Sequence, residues 1–486
     1  MKIFVSIQLL FICISVSKAQ QSNNWLFPFK NGITFNTNPP TNINNNYFDT
    51  ESFYTCASIS DINGNLLFSS DGFRVWDKNG NIMPNGFGLF GRSGTINTAL
   101  IIPFIGDLFK YHLFISQGSI GAGSNQDTCK YSYNIVDMSL NGGLGDISTK
   151  NVIVKYKAIE KMVAIPNENG TDIWWICRDW TNHFYSYRIT CQGFQNSNPV
   201  ISTVGDNVND NTNQLIYGDI KASPDSKYIS ACYRDYFELY QFNNETGILS
   251  NPIKIPALEC YGVEFSTNSK LLYISQRYPQ NNTSAAAITQ YNISTYDSLA
   301  ISNSLFKVSE VEGGVEGGLQ LGPNNKIYHN AFDKFIDVIN NPNIQAIGCN
   351  FQDSVIILPN DAQRRLPYSY VNLISNQNVQ ATYTVASDCR TVTLLAKTYI
   401  KGNTLAFKWK FGDGDSSIQN IPSGGDTTYT TIVHTYPPGV DTFFVSLSVT
   451  SDTVCGQGRA GAKVVVKPPP PIAKFRTPYL SLNDNK

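Results

Sequence analysis

Histidine is scarce. His112, His183, His329 and His434 are the only four in 486 residues, and no two stand at metal-ligand spacing. No Cys-x-x-Cys, no Gly-x-Ser-x-Gly elbow and no phosphate-binding glycine loop occurs. Gly313-Gly314 and Gly317-Gly318 flank Val315-Glu316, but between strands rather than before a helix, where they permit close backbone packing. These absences exclude the standard motif-borne metal, nucleotide and serine-hydrolase chemistries, and no cofactor is expected. Basic residues are not in excess: 36 Lys and Arg stand against 37 Asp and Glu, for a net charge of −1. That leaves no basic face for phosphate contacts and argues against nucleic acid as a partner. Long stretches with helical periodicity are missing too. Four methionines against 26 tyrosines and 28 phenylalanines suit strands rather than helices.

The first residues read as an export signal over 1–19. Lys2 supplies the positive end, Ile3 to Val16 is mostly apolar, and Ser17-Lys18-Ala19 forms a small-x-small cleavage site before Gln20. The run is too short for a membrane anchor and is interrupted by Ser6 and Gln8. Nothing later is apolar enough to span a bilayer, so no transmembrane segment is expected in the mature chain. Of ten cysteines, Cys13 lies in the signal, and the remaining nine cannot all pair within one chain.

Between the signal and about residue 373 one pattern recurs: short strand, polar turn, aromatic-rich strand. Ala57-Ser58-Ile59-Ser60 leads through Asp61-Ile62-Asn63-Gly64 to Leu66-Leu67-Phe68. Val163 to Pro166, Ile220 to Ser223, Val263 to Ser266 and Leu319 to Gly322 begin equivalent copies, and a weaker one starts near Leu100. Starts lie roughly 40 to 65 residues apart, the period of four-stranded propeller blades. Two sandwich domains would also give many short strands, but have no reason to repeat one strand-turn-strand sequence. The reading is therefore all-β, a β-propeller over 22–373. Trp25-Leu26-Phe27 and Ile33-Thr34-Phe35 at one end, with Leu366 to Val371 at the other, supply a closing blade. Seven blades are expected, with six the alternative.

The region resembles a propeller found in large secreted surface proteins of gliding bacteria of the Bacteroidetes type. The residues carrying the likeness include Cys56 to Asp61 with Gly64 to Phe68, Asp71-Gly72 with Val75-Trp76, Asn341-Pro342-Asn343 and Cys349-Asn350-Phe351. Downstream, Trp409-Lys410-Phe411-Gly412-Asp413-Gly414, then His434-Thr435-Tyr436, then Phe444 to Thr450 resemble the signature of the polycystic kidney disease (PKD) domain. Asp441-Thr442-Phe443 stands where that family places Tyr. The resemblance implies an immunoglobulin-like β-sandwich, placed here over 377–467, acting as a spacer or binding module. Asp413 and Asp415 could ligate calcium, but turn formation accounts for them better because the EF-hand spacing is absent. Cys389 and Cys455 flank strands of this domain and are expected to form a disulfide. A Pro-rich linker, Pro468 to Pro471, opens 468–486, which is either the start of a further domain or a tail.

Aligned as blades, the repeats bring charged residues to one mouth of the central channel. Loops entering the innermost strands carry Glu160, Lys161, Asp219, Lys221, Glu264 and Glu316. Loops leaving the second strands carry Asp71, Arg178, Asp179, Arg234, Asp235 and Arg277. Two readings stay open: inter-blade pins whose opposite charges offset each other's desolvation, or a polar ligand site. No residue is assigned a catalytic role, although paired carboxylates in that ring could serve a glycosidase. The leading function is a secreted or cell-surface adhesion protein that recognises a polysaccharide or an envelope protein. A propeller-type hydrolase or lyase acting on extracellular polysaccharide is the alternative, and a purely structural envelope component comes third.

Overall fold

The computed structural model describes residues 15–16, 20–43, 57–91, 99–105, 107, 109–118, 128–169, 171–208, 218–280, 283–312, 317–330, 334–361, 366–367, 379–425, 427–439, 441–452 and 457–466. Seven antiparallel sheets follow one another along the chain from Asn24 to Ile357. Their first strands are Asn24–Phe27, Ala57–Ser60, Ala99–Pro103, Ala158–Pro166, Ile220–Ala222, Val263–Phe265 and Gly318–Leu321. Consecutive first strands pack side by side. The last sheet closes on the first, where Tyr328 meets Trp25 edge-on at 5.6 Å and Leu366 joins their shared core. The result is a propeller-like ring of seven blades, numbered here in chain order. The expected C-terminal contribution at 368–371 lies outside the described residues.

Local chemistry explains the hairpins. Asp61 Oδ1 accepts from the amides of Asn63 (2.8 Å) and Asn65 (2.9 Å), with Gly64 at φ 82°. In later copies Ser226, Ser269 and Asn325 take the left-handed corner at φ 62°, 58° and 66°. Blade five hides a turn inside one long strand. Tyr228–Asn243 doubles back at Arg234 (φ 45°), so that the Phe242 amide donates to the Lys227 carbonyl at 2.8 Å.

After the ring comes a two-sheet β-sandwich. One sheet orders Ser15–Val16, Val379–Val385, Thr391–Thr398 and Thr428–Thr435. The other orders Ser416–Pro422, Thr404–Lys410, Asp441–Ser451 and Gln457–Val466. The alternation read from sequence holds: Leu405, Phe407 and Trp409 all point into the core. Ser15–Val16, within the expected signal, lies against Tyr383 and Thr382.

The cysteine expectation is corrected. Cys389 is a free thiol in the turn before Thr391–Thr398, its Sγ 3.8 Å from the Ser387 carbonyl. Cys455 lies outside the described residues. The described disulfide joins Cys232 and Cys260 within blade five, with Cα atoms 5.5 Å apart.

Candidate functional site

Alternation along the innermost strands decides what faces the axis. Val263 and Phe265, and Leu319 and Leu321, go to the cores between blades. The residues between them, Glu264 and Gln320, share the other face with Lys221. Lys221 Nζ donates to Gln320 Oε1 at 2.5 Å and sits 3.6 Å from Glu264 Oε2. That oxygen also accepts from the Leu321 amide (2.8 Å), and Oε1 from the Phe265 amide (2.9 Å). All three side chains are buried. Burial pushes the Glu264 carboxyl upward while Lys221 and the two amides oppose it. Blades five, six and seven are thus tied together at the axis.

Arg178 is the hub of a second cluster. It is the penultimate residue of the strand Ile173–Asp179 of blade four and has no exposed surface. Its guanidinium donates to the Tyr233 hydroxyl and the Asp206 carbonyl, and to the Tyr240 hydroxyl at 3.2 Å. Glu238 Oε2 lies 3.5 Å away and accepts from Tyr240. Burial alone would lower the arginine's pKa; Tyr233, Tyr240 and Glu238 more than offset this and raise it. Lys161, equally buried, donates to the Gly218 carbonyl at 2.5 Å. Glu160 is buried beside it at φ 53°.

Two of the anticipated acids lock turns. Asp71 accepts from the amides of Phe73 (2.9 Å) and Arg74 (2.6 Å), and from Arg74 Nε (3.1 Å). Asp179 accepts from the Thr181 amide (3.0 Å), the Thr181 hydroxyl and Tyr185 (2.9 Å). His183 Nδ1 then stands 2.6 Å from Thr181 Oγ1. A hydroxyl has one proton, and here it goes to the carboxylate, so His183 donates to Thr181 rather than activating it. This Asp-Thr-His contact escaped the sequence reading and is a turn lock, not a nucleophile.

Burial therefore removes Asp71, Glu160, Lys161, Arg178, Asp179, Lys221 and Glu264 from a solvent-facing list. Asp219 is buried as well, in the backbone ladder to Tyr261 and Cys232. Arg234 and Asp235 do reach the rim: Arg234 lies 3.9 Å from Glu259, each about a third exposed at 34% and 29%, and Asp235 is exposed. Arg277 lies opposite Ala286 in blade six, its side chain outside the described residues, as is Glu316.

In the sandwich, His434 Nε2 meets Asp413 Oδ2 at 2.7 Å and its ring stacks on Phe411 at 3.9 Å. Burial would raise the Asp413 carboxyl, but His434 and the Asp415 amide hold it below its usual value. Asp415 completes a trio whose ligand atoms lie within 4.8 Å. The hydrogen bond and ring stack already account for Asp413 and His434, and an imidazole is foreign to calcium's oxygen shell. Sequence spacing could not reveal this pairing across 21 residues.

No protein-family model and no curated protein matches the chain. Among solved structures it is similar to a candidate 6-phosphogluconolactonase of Bacteroides uniformis, at 13% identity and a TM-score of 0.44, covering 71% of this chain and 99% of that one. A protein of unknown function from Desulfotomaculum acetoxidans is similar at 10% identity and 0.35, covering 71% and 90%. Kuenenia stuttgartiensis hydrazine synthase is similar at 10% and 0.34, covering 60% and 77%.

Proposed function

We propose that the protein is a secreted or cell-surface binding protein, with a ring that recognises a polysaccharide or an envelope protein and a sandwich of the PKD type. One observation carries the reading. Glu264, the carboxylate on the axial face of blade six, is already held by Lys221 of blade five, the Leu321 amide of blade seven and the amide of its neighbour Phe265. A glycosidase needs two carboxyl groups open to the substrate on either side of the scissile bond. Two findings are compatible with export. Blade five holds a disulfide, and among the described residues no helix is long and apolar enough to cross a membrane. The test is a screen of the full chain against glycan and envelope-protein arrays, paired with turnover assays on the captured ligand. Capture without turnover is expected. Turnover that vanishes in Glu160→Gln or Glu264→Gln, with folding intact, would make the protein a hydrolase or lyase instead.

A further inference from the structure

Three groups able to react with one another stand in contact on the axial face. Lys221 belongs to the first strand of blade five, Glu264 to that of blade six and Gln320 to that of blade seven. They are 3%, 4% and 3% exposed. Lys221 Nζ has the Gln320 carboxamide oxygen at 2.5 Å and the Glu264 carboxylate at 3.6 Å. The amine is thus nearer to an amide than to its counter-charge. Gln320 Cδ lies one carbonyl bond beyond that oxygen, so at most about 3.7 Å from Nζ. Reacting atoms held at about 3–3.5 Å make a near-attack pair.

Leu321 sets both of the amine's partners. Its carbonyl accepts from Gln320 Nε2 at 3.1 Å, which leaves the carboxamide oxygen turned to the amine. Its amide donates to Glu264 Oε2 at 2.8 Å, while the Phe265 amide holds Oε1 at 2.9 Å. Lys161 offers a contrast. It meets the backbone carbonyl of Gly218, where the same attack would cut the chain.

We infer that Lys221 and Gln320 join in an isopeptide bond, with Glu264 moving the protons. Burial penalises an ammonium facing a carboxylate and favours the neutral amine and neutral acid. Burial is also the largest influence on the Glu264 carboxyl and pushes it upward, in the direction that this exchange needs. Glu264 takes a proton from the Lys221 ammonium, and the free amine attacks Gln320 Cδ to form the Nζ–Cδ bond. Glu264 then passes a proton from Nζ to Nε2, the Cδ–Nε2 bond breaks, and ammonia leaves, carrying off the proton first taken. In sum, an ammonium side chain and a carboxamide become a secondary amide and an ammonium ion. No oxidant and no cofactor is consumed. Exclusion of water protects the carboxamide from hydrolysis instead. The bond joins residues 99 apart in sequence and clamps blade five to blade seven across blade six. The inference goes beyond the binding reading and holds whatever the ring binds.

The test is a tryptic peptide map of the reduced, alkylated full chain, read by mass spectrometry. A branched peptide joining the Lys221 and Gln320 segments is expected, lighter by one ammonia than the two together, without cleavage after Lys221. Glu264→Gln keeps the shape but cannot carry the proton, and Lys221→Arg keeps the charge but removes the primary amine. In each, the branched peptide should fall by about tenfold or more. The reduced parent, retaining a closed loop, should also run ahead of both variants on a denaturing gel. Two linear peptides with full cleavage after Lys221 would overturn the inference, and this result on the parent needs no variant to fold. A branched peptide lighter by one water and joining Lys221 to Glu264 would overturn Gln320 as the acceptor. An isopeptide that forms undiminished in Glu264→Gln would overturn the role given to Glu264.

Discussion

Arg178 and Arg234 end equivalent strands of neighbouring blades, and each is followed by an aspartate. In sequence they are the same residue twice; in the structure they are opposites. Arg178 is held by Tyr233, Tyr240 and Glu238, all from the next blade, and no local pattern announces that encounter. Removing it leaves Glu238 buried without its cation. Arg178→Ala is therefore expected to cost about 3–5 kcal/mol, while Arg234→Ala should stay within about 0.5 kcal/mol, as surface changes do. Urea denaturation of the two variants side by side checks both figures; equal losses would refute the assignment of Arg178 as a pin. His112 makes a pH prediction. It is stacked on Phe104 at 4.7 Å, neither ring nitrogen has a hydrogen-bond partner, and burial pushes its pKa down to about 3. Between that value and the ordinary 6.5, the unfolded chain binds a proton that the folded one refuses. Stability is thus highest above pH 6.5 and falls as pH drops towards 3, by up to about 5 kcal/mol from this group. His112→Phe should flatten that part of the denaturation profile measured from pH 7 to 4.

At the scale of elements, the repeats were legible because their turns are local chemistry. An Asp, Asn or Ser that can cap amides or adopt positive φ, set between two short apolar runs, specifies a hairpin without outside help. Each of the segments beginning at Ala57, Val163, Ile220, Val263 and Leu319 indeed falls in the first strand of its sheet. Cysteine pairing was not legible, since it depends on which chain ends meet in space. Cys232 and Cys260 lie on different strands of blade five and meet only because that blade doubles back at Arg234. Closing a loop of 28 residues, this bridge should contribute about 3–4 kcal/mol. Urea unfolding of Cys232→Ala/Cys260→Ala against the parent measures it. Cys389, half-exposed and unpaired, should be alkylated by a maleimide in the native protein. A Cys389–Cys455 peptide in a non-reducing map would restore the original expectation.

For the whole molecule, the charge balance of the sequence was the least informative quantity, because a net of −1 says nothing of which charges meet in space. The same limit applies to the sandwich, which the signature near Trp409 describes as a spacer but which does not stand away from the ring. Its strand Gln457–Val466 meets the hairpin turns joining first to second strands, the end of the ring opposite the mouth. Arg459 lies 5.0 Å over the ring of Phe109, half-buried, with its pKa lowered by that burial against the pull of Tyr111, Asp107 and Asp61. Gly461 approaches the Ile62 backbone so closely that a Cβ there would lie 3.1 Å from the carbonyl oxygen. Such a contact fixes one orientation and leaves the mouth unobstructed by the sandwich. Intrachain domain interfaces are commonly modest in area, so a cation–aromatic contact and a steric fit weigh heavily in this one. Arg459→Ala combined with Gly461→Leu should release the sandwich from the ring while each part stays folded. Small-angle X-ray scattering should then show a larger radius of gyration and a longer maximum dimension than the parent. Identical scattering curves would mean that the domains are held together by other residues, and that the orientation does not depend on this strand.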